Sequence, residues 1–111
     1  MNTNNNFHVL EVALELVRVV APLLGRLDAD LRQQVRKALA SVPANLAEGN
    51  RRAGRDRAYH FRVAFGSADE VRVHLRTAEA FGYLGAREIA PGVELADRAC
   101  AMLYRLTGRR G

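Results

Sequence analysis

The chain is short of several residue types on which particular protein classes depend. It has one cysteine, Cys100, among 111 residues, so it forms no internal disulfide and suits a reducing compartment. It has no tryptophan and only 3 prolines. No segment alternates apolar and polar residues between turn signals as a sheet protein requires. These absences argue against a disulfide-rich secreted domain and against a β-sheet fold.

Long apolar runs and a targeting segment are also missing from the sequence. The most apolar stretch, 16–24, contains Arg18 and Pro22 and is too short and too polar to cross a bilayer. Met1–Asn6 lacks the positive charge of a signal peptide, and residues 1–5 are predicted to be a disordered tail. We therefore expect a cytoplasmic protein that has no membrane partner.

Helix signals account for nearly the whole chain. With 49% hydrophobic and 26% charged residues, residues 1–111 suit one globular domain. Helix stops and caps occur at Gly25, Asp28, Ala53-Gly54, Gly82 and Gly85. These signals predict four helices over 6–24, 28–52, 55–83 and 86–106. Because short connections make neighbouring helices antiparallel, the expected fold is an all-α, antiparallel up-down four-helix bundle.

The first helix is apolar around most of its circumference. Its polar residues, at about 100° per residue, fall in one stripe about 80° wide; they are His8, Glu11, Glu15 and Arg18. A bundle helix that faces one core needs only about three apolar positions in seven. The surplus predicts a second partner for this helix, supplied best by another copy of the chain, so we expect a homo-oligomer.

The positive charge is concentrated in one part of the chain. The net charge is +5, and residues 26–62, with nine basic and four acidic side chains, carry all of it. Repeated around an oligomer, such a cluster attracts a phosphate backbone, so RNA or DNA is a candidate partner. Two alternatives are a solvated basic turn partly paired with Glu48 and Asp56, and an acidic protein partner. The predicted nucleic-acid-binding residues are Arg36, Lys37, Arg51, Arg52, Arg55, Arg57 and Arg62.

A polar motif is predicted where the second and third helices face each other. Asn45 and Glu48 lie three residues apart, as do Ser67 and Glu70, and antiparallel packing lets the two pairs meet. Glu48 also precedes Arg52 by four residues, the favourable order for an ion pair. Pro43, within the second helix, is expected to kink it.

These motifs resemble those of proteins encoded within intervening sequences of bacterial 23S ribosomal RNA genes. The resemblance implies an antiparallel four-helix bundle, a homopentamer and no known enzyme activity. It also implies kinship with the accessory variability determinant of diversity-generating retroelements, a basic pentameric barrel that binds nucleic acid and a reverse transcriptase. The matching residues are Leu31, Gln34 to Ala38, Ser41 to Gly49, Arg52, Ala64, Gly66, Ser67 and Glu70.

The chain departs from the family pattern at three positions. Asn50 stands where an aromatic or small residue is common, and Phe65 where a basic residue is common. Pro22 interrupts the first helix. The change at Phe65 either weakens a nucleic-acid face or adds apolar contact between subunits.

Motifs for catalysis and for cofactors are not found in the sequence. A di-iron site of the bundle type needs Glu-x-x-His pairs, whereas His8 and Glu11 stand in the reverse order and Glu70 and His74 are four apart. There is no nucleophile triad or glycine-rich phosphate loop. We therefore expect a non-enzymatic protein without metal or cofactor. It is an accessory nucleic-acid-binding module or, alternatively, a structural adaptor for a protein partner.

Overall fold

The chain folds into four long helices. A computed structural model describes the backbone of residues 3–107 and the side chains of residues 8–107, and this range contains no strand. The all-α class and the four predicted helices are confirmed. The helices are α1 (Thr3–Val20), a short 3₁₀ helix (Ala21–Arg26), α2 (Ala29–Asn50), α3 (Gly54–Ala80) and α4 (Ala86–Leu106).

The limits of α1 differ from the prediction at both ends. The helix begins at Thr3, so residues 3–5, which were predicted to belong to a disordered tail, are helical. Asparagine is tolerated there because its helix propensity is less than about 0.7 kcal/mol per residue below that of alanine. Residues 1–2 of that tail lie outside the described range. The α-helix ends at Val20 because Pro22, near the start of the 3₁₀ segment, lacks the N–H that a further α turn needs. Gly25, predicted to stop the helix, lies inside this 3₁₀ segment.

Helix α3 ends three residues before the predicted position because Gly82 forms a left-handed cap. Gly82 has φ 84°, its N–H donates to Glu79 O at 2.9 Å, and the N–H of Tyr83 donates to Ala78 O at 3.0 Å. This pair of bonds is the Schellman arrangement, which satisfies the last carbonyls of a helix. The bounds of α4 are as predicted, and α2 begins just after Asp28, whose side chain makes no cap hydrogen bond.

The four helices form a square in which each contacts two neighbours. Helix α1 packs against α2 and α4, and α3 packs against the same two, whereas no Cα atoms of the diagonal pairs lie within 8 Å of each other in the described range. Contacts between Ser41 and Ser67 and between Asn45 and His60 show that α2 and α3 are antiparallel. The bundle measures 42 × 24 × 22 Å. None of the described helices has the length and apolar character to cross a membrane.

The core is divided into two apolar clusters along the bundle. One lies toward the connections between α1 and α2 and between α3 and α4 and includes Leu16, Val20 and Leu75. The other lies toward the turn between α2 and α3 and includes Leu46 and Phe61. Helix α2 continues through Pro43, so this proline does not end it.

Two glycines let helices approach more closely than any larger residue permits. A Cβ on Gly49 of α2 would lie 2.5 Å from Phe61 Cε1 of α3, and a Cβ on Gly92 of α4 would lie 2.7 Å from Leu75 Cδ1. Both distances are shorter than real carbon contacts. Gly49 thus seats the largest fully buried side chain of the described core, Phe61, directly against the α2 backbone.

Gly49→Ala is expected to lower the free energy of unfolding by about 1–3 kcal/mol, because the new methyl group overpacks against the Phe61 ring. Urea unfolding followed by helical circular dichroism measures it. Gly25→Ala is the matched control, since a Cβ there meets nothing within 4 Å, and it should leave stability the same or slightly higher. Equal effects of the two substitutions would contradict the close packing at Gly49.

Candidate nucleic-acid interface

The turn between α2 and α3 is tight and gathers four arginines at one end of the bundle. Helix α2 ends with the Arg51 N–H donating to Glu48 O at 3.1 Å. Gly54 then has φ 60°, a left-handed conformation that favours glycine, and α3 begins there. Only three residues separate the two helices. Arg51, Arg52, Arg55 and Arg57 therefore surround a single turn.

Glu48 binds two of these arginines at once. The Nη2 of Arg51 donates to Oε1 at 2.6 Å, and the Nε of Arg52 donates to Oε2 at 3.0 Å. The predicted ion pair between Glu48 and Arg52 is confirmed. Arg52 also approaches Asp56, with 3.9 Å between Nη1 and Oδ2. The carboxylate thereby partly neutralises and orients half of the arginine cluster.

The proximity of these charges changes their acid–base behaviour. The hydrogen bond from Arg52, followed by the charge of Arg51, lowers the pKa of the Glu48 carboxyl below its usual value. The bond to Glu48 in turn raises the pKa of Arg52. All of these groups remain accessible to solvent, so the ion pairs are open to exchange with other anions.

The other two arginines of the turn have different environments. Arg57 is half-buried, with its guanidinium 5.7 Å from the centre of the Phe61 ring and its Nε donating to Arg52 O at 3.2 Å. Arg55 is exposed, as is Arg62 further along α3. Arg57 thus reinforces the turn, while Arg55 presents its charge to solvent.

Two of the predicted binding residues do not join the cluster. Arg36 and Lys37 are exposed in the middle of α2, and at about 1.5 Å per residue the 14 positions from Lys37 to Arg51 span about 21 Å. Arg105, which the sequence analysis did not select, lies in the last turn of α4. Because α4 ends at the same end of the bundle as the α2–α3 turn, Arg105 adds positive charge there. Its position near the turn follows from the antiparallel topology and not from its place in the sequence.

The polar motif between α2 and α3 forms around a residue that was not predicted, Ser41. The hydroxyl of Ser67 donates to Ser41 Oγ at 2.7 Å, and Asn45 Nδ2 donates to Ser41 O at 3.0 Å and to Ser41 Oγ at 3.1 Å. Because the amide nitrogen of Asn45 is committed, its Oδ1 is the acceptor facing His60 Nδ1 at 2.9 Å. His60 Nδ1 therefore carries a proton.

Glu48 and Glu70 lie outside this network. Glu48 binds the arginines, and Glu70 is exposed at a cleft of about 420 Å³ between α2 and α3, lined also by Gln34, Lys37, Ala38, Ser41 and Ser67. Four residues beyond Glu70, His74 has a buried Nε2 with no hydrogen-bond partner among the described residues. The structure thus unites Asn45 with Ser67 and separates the two glutamates from them.

The described residues offer no reactive thiol and no metal cluster. Cys100 is half-buried and its Sγ donates to Phe65 O at 3.8 Å. Burial raises the pKa of the Cys100 thiol to about 11, so at neutral pH the group is protonated and a poor nucleophile. No three His, Cys, Asp or Glu side chains within residues 8–107 are grouped to hold a metal ion.

The sequence matches the 23S rRNA-intervening sequence protein family over residues 6–105. The chain belongs to this family. The same fold is found in the crystal structure of a protein with unknown function, from the S23 ribosomal protein family of Bacteroides thetaiotaomicron VPI-5482. That structure superposes with a TM-score of 0.82 at 17% identity and covers 94% of this chain and 98% of its own. No curated protein matches the sequence.

Ser41→Ala is expected to lower the free energy of unfolding by about 1–3 kcal/mol, because it removes an acceptor that Asn45 and Ser67 share. A double-mutant cycle of Ser41→Ala with Ser67→Ala should give a coupling energy of about 0.5–3 kcal/mol. Both are measured by denaturant unfolding.

Glu70→Gln serves as the control for this cycle, because Glu70 is an exposed member of the predicted motif, and it should change stability by less than about 0.5 kcal/mol. A Ser41→Ala protein as stable as Glu70→Gln would show that the hydrogen bonds do not hold the two helices in register.

Proposed function

We propose that this chain is a non-enzymatic, homo-oligomeric helical bundle that serves as an accessory nucleic-acid-binding module. The observation that carries the proposal is the cluster of Arg51, Arg52, Arg55 and Arg57 around one three-residue connection. Guanidinium groups bind phosphate through paired N–H donors. The ligand is RNA or DNA held through its backbone, and the protein acts in the cytoplasm without metal or cofactor.

The assembly multiplies a modest local charge. Four arginines of the turn, set against Glu48 and Asp56, leave a formal charge of +2 in each chain. The family resemblance implies five copies, and the apolar surplus of α1 supports association of copies. A ring that repeats the turn at one rim creates a potential that attracts a polyanion over a Debye length of about 8–10 Å.

The chemistry of the turn favours backbone contacts over base reading. Tyr59 is 56% exposed and packs edge-on against His60 with 5.1 Å between ring centres, and Tyr104, beside Arg105 in the last turn of α4, is 54% exposed. Phe61 is buried. Two accessible rings on separate helices provide little base stacking, so binding depends on phosphates and is weakly selective for sequence.

A structural adaptor that binds a protein is the second candidate. It is favoured by Glu48, because a carboxylate that already binds Arg51 and Arg52 reduces the charge free for phosphate. The family resemblance suggests a reverse transcriptase as one such partner. This candidate predicts a normal oligomer that retains no nucleic acid at physiological salt.

Replacing Arg51, Arg52, Arg55 and Arg57 with glutamine should weaken binding to generic duplex and single strands. The slope of log K against log salt should become shallower by about 1 for each phosphate that the variant no longer binds. Fluorescence anisotropy titrations at several salt concentrations measure both effects. Unchanged affinity, or wild-type binding that ignores salt, would remove the proposed function.

The matched control for this set is Arg87→Gln with Arg98→Gln, two exposed arginines of α4 outside the turn. Their removal lowers the net charge by two but leaves the cluster intact. Affinity should change much less than in a two-site variant of the cluster, such as Arg52→Gln with Arg55→Gln. Equal losses of affinity would mean that total charge, and not the turn, governs binding.

Glu48→Gln should strengthen nucleic-acid binding and make the slope of log K against log salt steeper by about 1–2, because two arginines lose their internal partner.

The same substitution should also change the stability of the protein in acid. The folded pKa of Glu48 is lowered, so its contribution is complete above the usual pKa of the group and is lost as pH falls. The variant should therefore lose less stability than wild type between about pH 5 and pH 3. If the variant and wild type have the same acid unfolding curves and the same affinities for nucleic acid, the carboxylate does not hold the arginines.

A further inference from the structure

One face of α1 carries large apolar side chains that its own bundle leaves partly uncovered. Leu10, Leu14 and Val17 follow each other at intervals of four and three residues and are all partly exposed. Leu10 and Val17 pack at the edges of the two core clusters, and Leu14 joins neither of them among the described residues. These three residues form a partly exposed apolar line along the helix, here named the α1 ridge.

The outward face of α3 carries a shallow depression. Tyr59, Gly66, Val73 and Ala80 recur every seven residues, and Val73 is 47% exposed. A shallow depression of about 400 Å³, here named the α3 groove, is lined by Arg72, Val73, Arg76, Thr77 and Ala80. Three of its five lining residues, Val73, Thr77 and Ala80, are smaller than leucine and leave room for larger side chains from outside.

The ridge and the groove share one period. Intervals of four and three on α1 and of seven on α3 both give 3.5 residues per turn, the spacing that lets side chains of one helix fit between those of another over several turns. Within one chain α1 and α3 lie on a diagonal of the bundle with no Cα atoms within 8 Å of each other in the described range, and the groove is on the side of α3 that faces away from the core. Neither surface can therefore cover the other in the same molecule.

We propose that the α1 ridge of one copy packs into the α3 groove of the next copy. This inference deepens the proposed function, because it rests on the oligomer and assigns the surfaces that build it. The contact joins two different surfaces, so every copy uses both, and such heterologous contacts produce a closed ring when the rotation between copies closes.

Charges beside the two surfaces are complementary. Glu11, adjacent to Leu10, forms no ion pair within the described residues, and the same holds for Arg62 and Arg76 on α3. All three are exposed. An acidic flank on the ridge and a basic flank on the groove favour the pairing of ridge with groove over ridge with ridge.

Leu14→Arg and Val73→Arg test the assignment. Leu14→Arg disables the ridge and keeps the groove, whereas Val73→Arg fills the groove and keeps the ridge. Arginine is introduced in both so that the two disabled surfaces repel each other. Each variant alone should have the mass of a single chain by light scattering after nuclease treatment, with the helical content of wild type.

The decisive measurement is a mixture of the two variants. One intact groove and one intact ridge should give a complex of one copy of each and nothing larger, at concentrations where either variant alone stays monomeric. This result also shows that both variants are folded. Ala40→Arg, an exposed alanine of α2, is the control and should assemble as wild type.

The possible failures are distinguishable. A wild-type protein that is monomeric overturns both this inference and the oligomer in the proposed function. A wild-type oligomer that persists in Leu14→Arg or in Val73→Arg overturns the surfaces alone. Two monomeric variants that do not combine overturn the ridge-to-groove pairing and leave the nucleic-acid proposal standing.

Discussion

The hydrogen bond between Ser67 and Ser41 sets the register in which α2 and α3 pack. The placement of the other polar groups along the α2–α3 interface, here named the seam, follows from this register. Polar residues recur every seven positions on both helices, and the antiparallel register aligns the two series in sequence. Among the described side chains, the central pair of the seam bonds directly, at 2.7 Å. A slip by one turn would bring these hydroxyls against apolar side chains, where each missing hydrogen bond costs about 1–3 kcal/mol. The same sequence offset aligns Gln34 with His74 and Glu48 with His60, on either side of the bonded pair of Ser41 and Ser67.

The polar residues nearest the α2–α3 turn connect the seam with the arginine cluster. His60 donates its hydrogen bond to Asn45, one turn inside Glu48, so the Glu48 carboxylate is available to Arg51 and Arg52. Exposed ion pairs of this kind contribute only about 0–1 kcal/mol each. In the proposed function a phosphate replaces Glu48 at little cost, and in the free protein the carboxylate fixes the positions of both guanidinium groups.

The sequence pattern alone was sufficient to predict the helices, but it was insufficient to predict which residues come together at the candidate site. Apolar periodicity and glycine stops determine the number and order of helices, because both depend on neighbours in sequence. The end of α1 was missed because Pro22 acts before Gly25, and that of α3 because a left-handed Gly82 closes the helix earlier. Arg36 and Lys37 were grouped with the turn because a count of charges ignores the rise of the helix. Ser41 was missed because its partners depend on the rotation of α2 against α3.

The direction of the helices connects the proposed interface with the proposed function. Helices α1 and α3 run the same way in an up-down bundle, so a ring whose axis lies along the bundles sets the ridge of one copy parallel to the groove of the next. All copies then point the same way, and every α2–α3 turn lies at one rim. An isologous pair related by a perpendicular two-fold axis would place the turns at opposite ends and divide the positive charge. The ridge-to-groove contact is thus the arrangement that concentrates the arginines on a single surface.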